Sequence, residues 1–374
     1  MDKKKVLFIT GTRADFSKLK PLINISRDDD KFDIYIFATG MHLLSKYGLT
    51  VNEIKKEKYP NIYEYINQSS TMTMDKILAT TVDGLSNYVA EYQPDLIIVH
   101  GDRLEALAGA IVGSFNNILV GHIEGGERSG TLDELIRHSV SKLAHVHFVC
   151  NEEAKLRLIQ MGEEPKNIFI IGSPDLDIMM SKKLPSLKIV RQRYDINFSR
   201  FSLFCYHPVT TEVQNLRHNM QQVLNALVDS GIQYVCIYPN NDFGSDIIIE
   251  ELEKLRSNVN FRIFSSLRFE YFLTLLQNCE FVIGNSSAGI REAEVYGKVN
   301  INIGTRQNNR YMGRNIINVS EDAAQIMQAI QEYKHIQLTP NAFFGDGKSA
   351  ETFHKILSGT ELWNIGIQKQ FNDL

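Results

Sequence analysis

The sequence predicts an α/β protein with two Rossmann-like, doubly wound domains that face each other across a cleft. The chain has 374 residues, which is long for one hydrophobic core and favours two domains of about 150–200 residues each. Short β-branched runs alternate with longer segments whose apolar residues recur three and four positions apart. The strand-like runs are almost wholly apolar, which is typical of a parallel sheet covered by helices on both faces.

The first half of the chain contains six predicted strands. They are "KKVLFIT", "DIYIFATG", "DLIIVHG", "ILVGHIE", "VHFVC" and "NIFIIG". The segments between them, such as "RADFSKLKPLINI", "DRLEALAGAIVGSFNN" and "LDELIRHSVSKLAH", have helical spacing. This alternation predicts a first α/β domain over residues 1–175.

The alternation pauses around residues 180–200, which are polar and basic, and then resumes. The later predicted strands are "FSLFCYHP", "QYVCIYPN", "NFRIFSS", "FVIGNSS" and "VNINIG". They predict a second α/β domain over residues 176–357. We expect the tail, residues 358–374, to form a last helix that crosses back to the first domain.

Composition excludes several classes of partner. A net charge of −4 offers no basic excess for nucleic acid. No apolar stretch approaches the roughly 20 residues that a membrane span requires, and "MDKKKVLFIT" is interpreted as a strand rather than a signal peptide. None of the four cysteines pairs at CxxC spacing, so reduced buried thiols and a cytoplasmic location are expected; they are Cys150, Cys205, Cys236 and Cys279.

Two strand ends in the first half carry arginine. In "FITGTRADF" a glycine follows the strand and Arg13 opens a helix, which predicts an anion site. In "VHGDRLEAL" Asp102 and Arg103 follow the strand. That pair is either a local cap or ion pair, or it faces the predicted cleft. No GxGxxG or GxxxxGK[ST] motif is present, and no cofactor is predicted.

A group of carboxylates follows the strand that ends at residue 123. Within "GHIEGGERSGTLDELIRHSV", the candidates for catalytic acids are Glu124, Glu127 and Asp133. Some of these acids could instead be solvated or pair with Arg128 or Arg137. Acids with different environments can divide general acid and general base roles.

Other residues in this stretch have structural interpretations. Thr131 and Glu134 have capping-box spacing, so Glu134 is expected to be structural. The nearby histidines form no HExxH or similar ligand frame, and no metal site is predicted; they are His122, His138, His145 and His147.

In the second half, polar residues follow four predicted strands. They are His207, Asn240, the pair Ser286–Ser287, and Arg306. Backbone amides and hydroxyls at the helix start after Asn285 suit a diphosphate, although a serine pair there could be only an N-cap. Glu292 is placed to accept hydrogen bonds from a ribose.

These motifs together resemble those of a known family. "GTRAD", "GDRLEAL", "HIEGGERSGTLDELIRHS", "HPVTT", "GNSSAGIREA" and "GTRQ" are similar, in the same order over residues 5–350, to motifs of the hydrolysing UDP-N-acetylglucosamine 2-epimerases. The resemblance implies a GT-B-like fold. It also implies an activity that converts UDP-N-acetylglucosamine and water to N-acetylmannosamine and UDP, through elimination to a glycal and then hydration.

The resemblance also implies roles for individual residues. It implies UDP contacts from Arg13, His207, Asn240, Ser286, Ser287, Glu292 and Arg306, and Arg103 is a further candidate for binding UDP. It implies catalysis by Asp102, Glu124 and Asp133, with Glu127 and His207 as further candidates. Non-hydrolysing relatives have "EAG.RT" where this chain has "EGGERSG", which favours release of a free sugar. The animal enzyme has a histidine near Ser266 that this chain lacks, so contacts to uracil there are open.

Alternatives remain at this point. The same chemistry could act on UDP-2,4-diacetamido-2,4,6-trideoxyglucose, of the legionaminic acid pathway. A GT-B glycosyltransferase or a non-enzymatic UDP-sugar sensor would also carry a diphosphate site, although a sensor would not need the carboxylate cluster. The resemblance implies a homo-oligomer, either a dimer or a tetramer, with the UDP-sugar as the small-molecule partner.

Overall fold

The chain divides into two compact units. Unit 1 comprises Met1–Glu127, Asp133–Lys182 and Phe343–Leu374, and unit 2 comprises Arg128–Leu132 and Lys183–Ala342. The computed structural model describes residues 3–69, 71–129, 132–181, 183–240, 242–308, 313–336, 338–341 and 343–372. No helix among these residues combines the length and the apolar character needed to cross a membrane.

Unit 1 contains a parallel sheet of seven strands within its described residues. The strands are β1 (Lys4–Thr10), β2 (Phe32–Ala38), β3 (Asn61–Glu64), β4 (Leu96–His100), β5 (Leu119–Ile123), β6 (Val146–Val149) and β7 (Ile168–Ile170). The helices are α1 (Arg13–Arg27), α2 (Val51–Lys56), α3 (Met74–Tyr92), α4 (Leu104–Phe115), α5 (Leu132–Leu143), α6 (Glu152–Gln160) and α7 (Asp175–Met179). The strand order β3-β2-β1-β4-β5-β6-β7 reverses direction between β1 and β4, which is where doubly wound sheets bind ligands.

Both faces of this sheet are covered by helices. Alternate residues of β1 belong to different cores: Val6 and Phe8 pack in one apolar cluster, and Leu7 and Ile9 pack in another. Because successive side chains of a strand point to opposite faces, the apolar run of β1 supplies both layers. The continuous apolar strands therefore have the parallel, doubly covered structure that the sequence predicts.

Unit 2 contains a second parallel sheet, with six strands in its described part. The strands are β8 (Ser202–Cys205), β9 (Tyr234–Ile237), β10 (Phe261–Phe264), β11 (Val282–Gly284), β12 (Asn300–Ile303) and β13 (Ile316–Val319). The helices are α8 (Leu187–Tyr194), α9 (Leu216–Asp229), α10 (Ser245–Glu253), α11 (Phe269–Asn278), α12 (Ser287–Ile290), α13 (Glu292–Val295) and α14 (Ala323–Glu332). The order β10-β9-β8-β11-β12-β13 reverses between β8 and β11, so the prediction of an α/β protein with two doubly wound sheets is confirmed.

The C-terminal segment differs from the predicted helix over 358–374. The last helix, α15, spans Ser349–Ser358, and Gly359 ends it. A 3-10 turn follows at Leu362–Asn364, and residues 365–372 form no helix or strand. The return to unit 1 thus begins at Phe343 rather than 358, and unit 2 begins at Lys183 in this segment rather than 176.

Two edge strands, β3 and β13, are absent from the sequence prediction. Their residues are all half-buried or exposed, whereas a central strand such as β5 is buried throughout. An edge strand packs on fewer neighbours, so it gives a weaker apolar signal than a central strand does.

Candidate active site

The turn between β1 and α1 is organised by a buried carboxylate. Asp15 accepts hydrogen bonds from the amides of Gly11 and Thr12, both at 2.9 Å, and from the hydroxyl of Thr10 at 2.8 Å. The Thr12 side chain caps the helix in return, at 3.2 Å from the Asp15 amide. Asp15 therefore shapes the turn, while Arg13 lies half-buried in the first turn of α1, where a helix N-terminus favours anions.

The residues after β4 form ion pairs that the sequence does not predict. Asp102 forms an ion pair with Arg137 of α5, and Arg103 Nε lies 3.4 Å from Glu105 Oε2. Glu105 is 2% exposed. A Cβ at Gly11 would approach the Glu105 carboxyl carbon to 2.5 Å, so this glycine leaves the space that Glu105 fills at the strand end. Sequence reasoning did not single out Glu105.

Glu124 follows β5 and is enclosed by polar groups. Its backbone has a φ of +62°, and its carbonyl accepts a 2.6 Å hydrogen bond from Arg137 Nη1. Its carboxylate lies 3.2 Å from Lys18 Nζ, 3.1 Å from His100 Nε2 and 2.5 Å from Ser173 Oγ. With 2% of the residue exposed, Glu124 is a buried carboxylate whose charge is compensated by nearby donors.

Four members of this cluster were missed from the sequence. Lys18 is in the second turn of α1, His100 ends β4, and Ser173 and Asp175 come shortly after β7. Lys18 Nζ is 3.0 Å from Asp175 Oδ2, and the Ser173 hydroxyl contacts Asp175 Oδ1. The carboxyl ends of parallel strands meet at one edge of a sheet. A search for polar residues directly after predicted strands, applied to "HGD" and "GSPD", would therefore have found His100, Ser173 and Asp175.

The remaining predicted acids lie in less enclosed positions. Asp133 is half-buried in the first turn of α5, and Glu127 is also half-buried. Glu134 Oε1 is 3.1 Å from His138 Nε2 one turn further along α5. Thr131 lies outside the described residues, so its capping box with Glu134 stays a prediction.

The buried histidines of unit 1 make hydrogen bonds to protein groups. His122 Nε2 is 2.8 Å from the carbonyl of Gly101, and Nδ1 is 3.1 Å from Ser141 Oγ. Burial lowers the pKa of His122 to about 3, which keeps the ring neutral. His147 Nε2 is 3.0 Å from Glu163 Oε2. Among the described residues, no group of three or more His, Cys, Asp or Glu side chains could hold a metal ion.

In unit 2, His207 is tied to two neighbouring strand ends. Its ring Nδ1 accepts a 3.1 Å hydrogen bond from the backbone N–H of Asn240. Because Nδ1 is an acceptor here, the ring proton of neutral His207 is on Nε2. The buried Asn285 side chain accepts from the His207 amide at 2.6 Å and donates to its carbonyl at 2.9 Å. The structure thus brings His207, Asn240 and the end of β11 together.

The end of β11 also positions a serine pair at a helix start. Gly284 has a φ of +127°, and a Cβ there would lie 2.1 Å from the carbonyl oxygen of Cys205. Ser286 is the N-cap of α12 and accepts from the Ala288 amide at 3.3 Å. The N-cap interpretation of Ser286 therefore holds, and Ser287 is the first residue of the short helix.

Arg306 and Glu292 are both buried. Arg306 Nη1 donates to the Asn285 carbonyl at 3.2 Å, and Gln307 Nε2 donates to the same carbonyl at 2.6 Å. Arg306 is 6% exposed and Glu292 is 7% exposed. Arg306 therefore lies against the same strand end as His207 and Ser286, and Glu292 begins α13 just beyond them.

The two sheets and these strand-end residues define a GT-B-like α/β protein. The fold is similar to a Neisseria meningitidis UDP-GlcNAc 2-epimerase bound to UDP-GlcNAc, with a TM-score of 0.80 and 19% identity over 94% of this chain and 99% of that one. It is also similar to a Methanocaldococcus jannaschii UDP-GlcNAc 2-epimerase in complex with UDP-GlcNAc and UDP, with a TM-score of 0.80 and 22% identity over 95% and 99% of the two chains.

A family model described as UDP-N-acetylglucosamine 2-epimerase matches residues 24–358. A UDP-N-acetylglucosamine 2-epimerase of Neisseria meningitidis serogroup B is 46% identical, with 99% of each chain covered. A UDP-N,N′-diacetylbacillosamine 2-epimerase (hydrolyzing) of Legionella pneumophila is 35% identical over 98% of each chain. The polysialic acid biosynthesis protein P7 of Escherichia coli is 31% identical, over 91% of this chain and 90% of that one. The chain belongs to the UDP-N-acetylglucosamine 2-epimerase family.

Proposed function

We propose that the protein is a hydrolysing UDP-N-acetylglucosamine 2-epimerase, which releases N-acetylmannosamine and UDP. The observation that carries the proposal is the buried Glu124 carboxylate, held by cationic and hydroxyl donors. Arg137 joins the Glu124 carbonyl to a second acid, Asp102. Binding a diphosphate does not require additional negative charge. Acids enclosed in this way instead suit proton transfer and stabilisation of a positively charged sugar ring.

The proposed reaction has two stages. UDP leaves C1 while the C2 proton is removed, which gives a glycal. Water then adds its oxygen to C1, and C2 receives a proton on the opposite face, so that the free sugar has the manno configuration. Asp102, Glu124 and Asp133 are the proposed acids of these steps, with Glu127 as a further candidate.

The groups of unit 2 suit the departing nucleotide. Nε2 of His207 carries the ring proton, and Arg306 and the Ser286–Ser287 amides lie at the same strand ends. Donors of this kind stabilise developing negative charge on a leaving diphosphate. We propose that they bind UDP together with Asn240 and Glu292, and that Arg13 and Arg103 of unit 1 provide further positive charge.

A second candidate substrate is UDP-N,N′-diacetylbacillosamine, which is the 2,4-diacetamido-2,4,6-trideoxy sugar nucleotide. It is favoured by the Legionella pneumophila relative at 35% identity. The 46% identity to a UDP-N-acetylglucosamine 2-epimerase makes UDP-N-acetylglucosamine the first choice. Both substrates would undergo the same elimination and hydration at C1 and C2.

The test is NMR spectroscopy of the reaction in deuterated water, with each UDP-sugar in a separate sample. We expect UDP, free N-acetylmannosamine and one deuterium at C2 from UDP-N-acetylglucosamine. Recovery of a UDP-sugar epimer would show a non-hydrolysing enzyme, and a product without C2 deuterium would show glycosyl transfer or simple hydrolysis. Incubating N-acetylmannosamine with the enzyme and UDP controls for later exchange at C2.

A further inference from the structure

The interior of unit 1 contains a second buried carboxylate that the proposed mechanism does not use. Asp175, at the start of α7, is 1% exposed, and Ser173 two residues earlier is fully buried. The Ser173 hydroxyl contacts Asp175 Oδ1 and lies 2.5 Å from Glu124 Oε1. Lys18 Nζ lies 3.0 Å from Asp175 and 3.2 Å from Glu124. One hydroxyl and one ammonium therefore join two buried carboxyl groups.

The number of protons available at this bridge is limited. A hydroxyl carries a single hydrogen, and an ionised carboxylate can only accept hydrogen bonds. Ser173 can donate to Glu124 or to Asp175, but not to both. Its second short contact is satisfied if the other carboxyl group is protonated and donates to the serine oxygen.

The charges around the bridge lead to the same conclusion. Two ionised carboxylates on either side of one hydroxyl would place like charges close together in a buried site, which is costly. One shared proton removes that repulsion. Charged and titratable groups that face Glu124 include His100, 3.1 Å from Oε2, and Arg137, whose guanidinium binds the Glu124 carbonyl and Asp102.

We propose that Glu124, Ser173 and Asp175 hold one carboxyl proton in common, and that Asp175 stores it for Glu124 during turnover. In one state Asp175 is protonated and donates to Ser173, whose hydroxyl donates to ionised Glu124. Transfer of both hydrogens along the bridge leaves Glu124 protonated, Asp175 ionised and the serine hydroxyl intact. The reverse transfer restores ionised Glu124 as a base.

Ser173 and Asp175 are thus positioning residues that act through Glu124. This inference rests on the proposed function only in giving Glu124 a role in proton transfer. Lys18 remains between the two acids in either state, so its ammonium offsets whichever carboxylate is ionised.

The first experiment needs no turnover. The experiment records infrared difference spectra of the full-length protein, between unlabelled samples and samples with isotopically labelled aspartate and glutamate. Such spectra detect a protonated carboxyl group directly. We expect such a signal at neutral pH in the wild-type protein and its loss in Asp175→Asn. A wild-type protein without a buried protonated carboxyl would overturn the proposal, whatever substrate the enzyme uses.

The second experiment follows kcat against pH for Asp175→Asn, Ser173→Ala and Ser173→Thr. We expect Asp175→Asn and Ser173→Ala to lower kcat about tenfold to a hundredfold, with little change in KM. We also expect one side of the kcat–pH profile to shift along the pH axis in these two variants. Ser173→Thr, which keeps the hydroxyl, should recover most of the rate. The double variant should be no slower than either single variant, because both interrupt one path.

The matched control is Asp177→Asn, on the same helix. Asp177 accepts from the amides of Ser349 and Ala350 at 2.9 and 2.7 Å and should change stability without moving the pH profile. If Asp175→Asn changes only thermal stability, as Asp177→Asn does, then Asp175 is structural and the proposal is wrong. If the wild-type enzyme proves inactive on both UDP-sugars, the proposed function fails, while the infrared result still decides the shared proton.

Discussion

At the scale of single residues, the three acids proposed for catalysis have different surroundings. The Asp102 side chain is 23% exposed and paired with Arg137, whereas that of Glu124 is 3% exposed and faces Lys18. Asp133 is half-buried in the first turn of α5. Acids in unlike environments can hold and release protons at different stages of one reaction.

The variant Asp133→Asn tests the acid on α5. The amide keeps the size of the side chain but cannot exchange a proton, so we expect turnover to fall by at least about a hundredfold while UDP binding is retained. Steady-state kinetics and calorimetry with UDP measure the two quantities. The control is Glu134→Gln, which removes a carboxylate that pairs with His138 and should leave turnover unchanged. Near-normal turnover of Asp133→Asn would remove this residue from the chemistry.

A backbone test at the residue scale is Gly284→Ala. The φ of +127° disfavours any side chain, and the new methyl group would meet the Cys205 carbonyl oxygen at 2.1 Å. We expect a loss of at least about 2 kcal/mol in the free energy of unfolding, measured by denaturant titration. The control Gly366→Ala has no atom within 4 Å of the new group and should unfold like the wild type.

At the scale of elements, α5 is held by distant parts of unit 1. In its middle Arg137 binds Asp102, and at its end Lys369 of the tail donates to the carbonyls of Lys142 and Ala144 at 2.9 and 2.7 Å. Lys369 also pairs with buried Glu163 at 2.5 Å. Burial alone would raise the pKa of Glu163, but hydrogen bonds and ion pairs, including that from His147, lower it to about 2.

Replacing this tail lysine should loosen α5. In Lys369→Met the carbonyls at the end of α5 lose a donor and Glu163 loses one cation, so we expect a loss of about 1–3 kcal/mol in stability. Thermal unfolding and hydrogen exchange of α5 amides measure the effect. In the control Lys166→Met, the lost pair with Glu164 is 3.7 Å long and exposed, and little change is expected. Equal stability of the two variants would show that the tail does not support α5.

At the scale of the whole molecule, the two sheets repeat one design. Each reverses strand order beside its first strand, at β1/β4 in unit 1 and at β8/β11 in unit 2. Arg13 and Asp102 follow β1 and β4, and His207 and Ser286 follow β8 and β11. This carboxyl edge is where doubly wound sheets bind ligands. The acids lie in unit 1, and the histidine, serines and Arg306 that suit a diphosphate lie in unit 2.

Global stability should fall in mild acid. Burial lowers the pKa of His42 to about 4 and that of His122 to about 3, whereas an unfolded histidine titrates near about 6.5. Between these values the unfolded chain binds more protons, so stability decreases as pH falls below about 6.5, by about 1.4 kcal/mol per pH unit for each histidine. Denaturant unfolding at several pH values measures this slope.

A pair of variants separates the buried histidines from the rest. His42→Gln should flatten the stability profile between about pH 6.5 and 4, since one group no longer titrates in the unfolded state alone. His138→Gln, at an exposed site on α5, is the control for the substitution itself. A His42→Gln profile that parallels the wild type would contradict the role given to burial.

Local pattern was sufficient for much of this protein. The apolar runs of central strands such as β1 and β5, and the polar residues that end them, follow from neighbouring residues and the two-residue period of a strand. For that reason Arg13, Asp102, Glu124, His207 and Ser286 could be placed at strand ends or helix starts from the sequence, and the motifs they belong to indicated the family.

The sequence by itself determined the α/β class, the central strands and which polar residues stand at their ends, because these depend on periodicities within short segments. Only the tertiary structure decided the partners: Arg137 for Asp102 across 35 residues, Lys18 for Glu124 across 106 and Lys369 for Glu163 across 206. It also decided the edge strands and the course of the tail. Such pairings depend on how separate elements pack, which no local periodicity encodes.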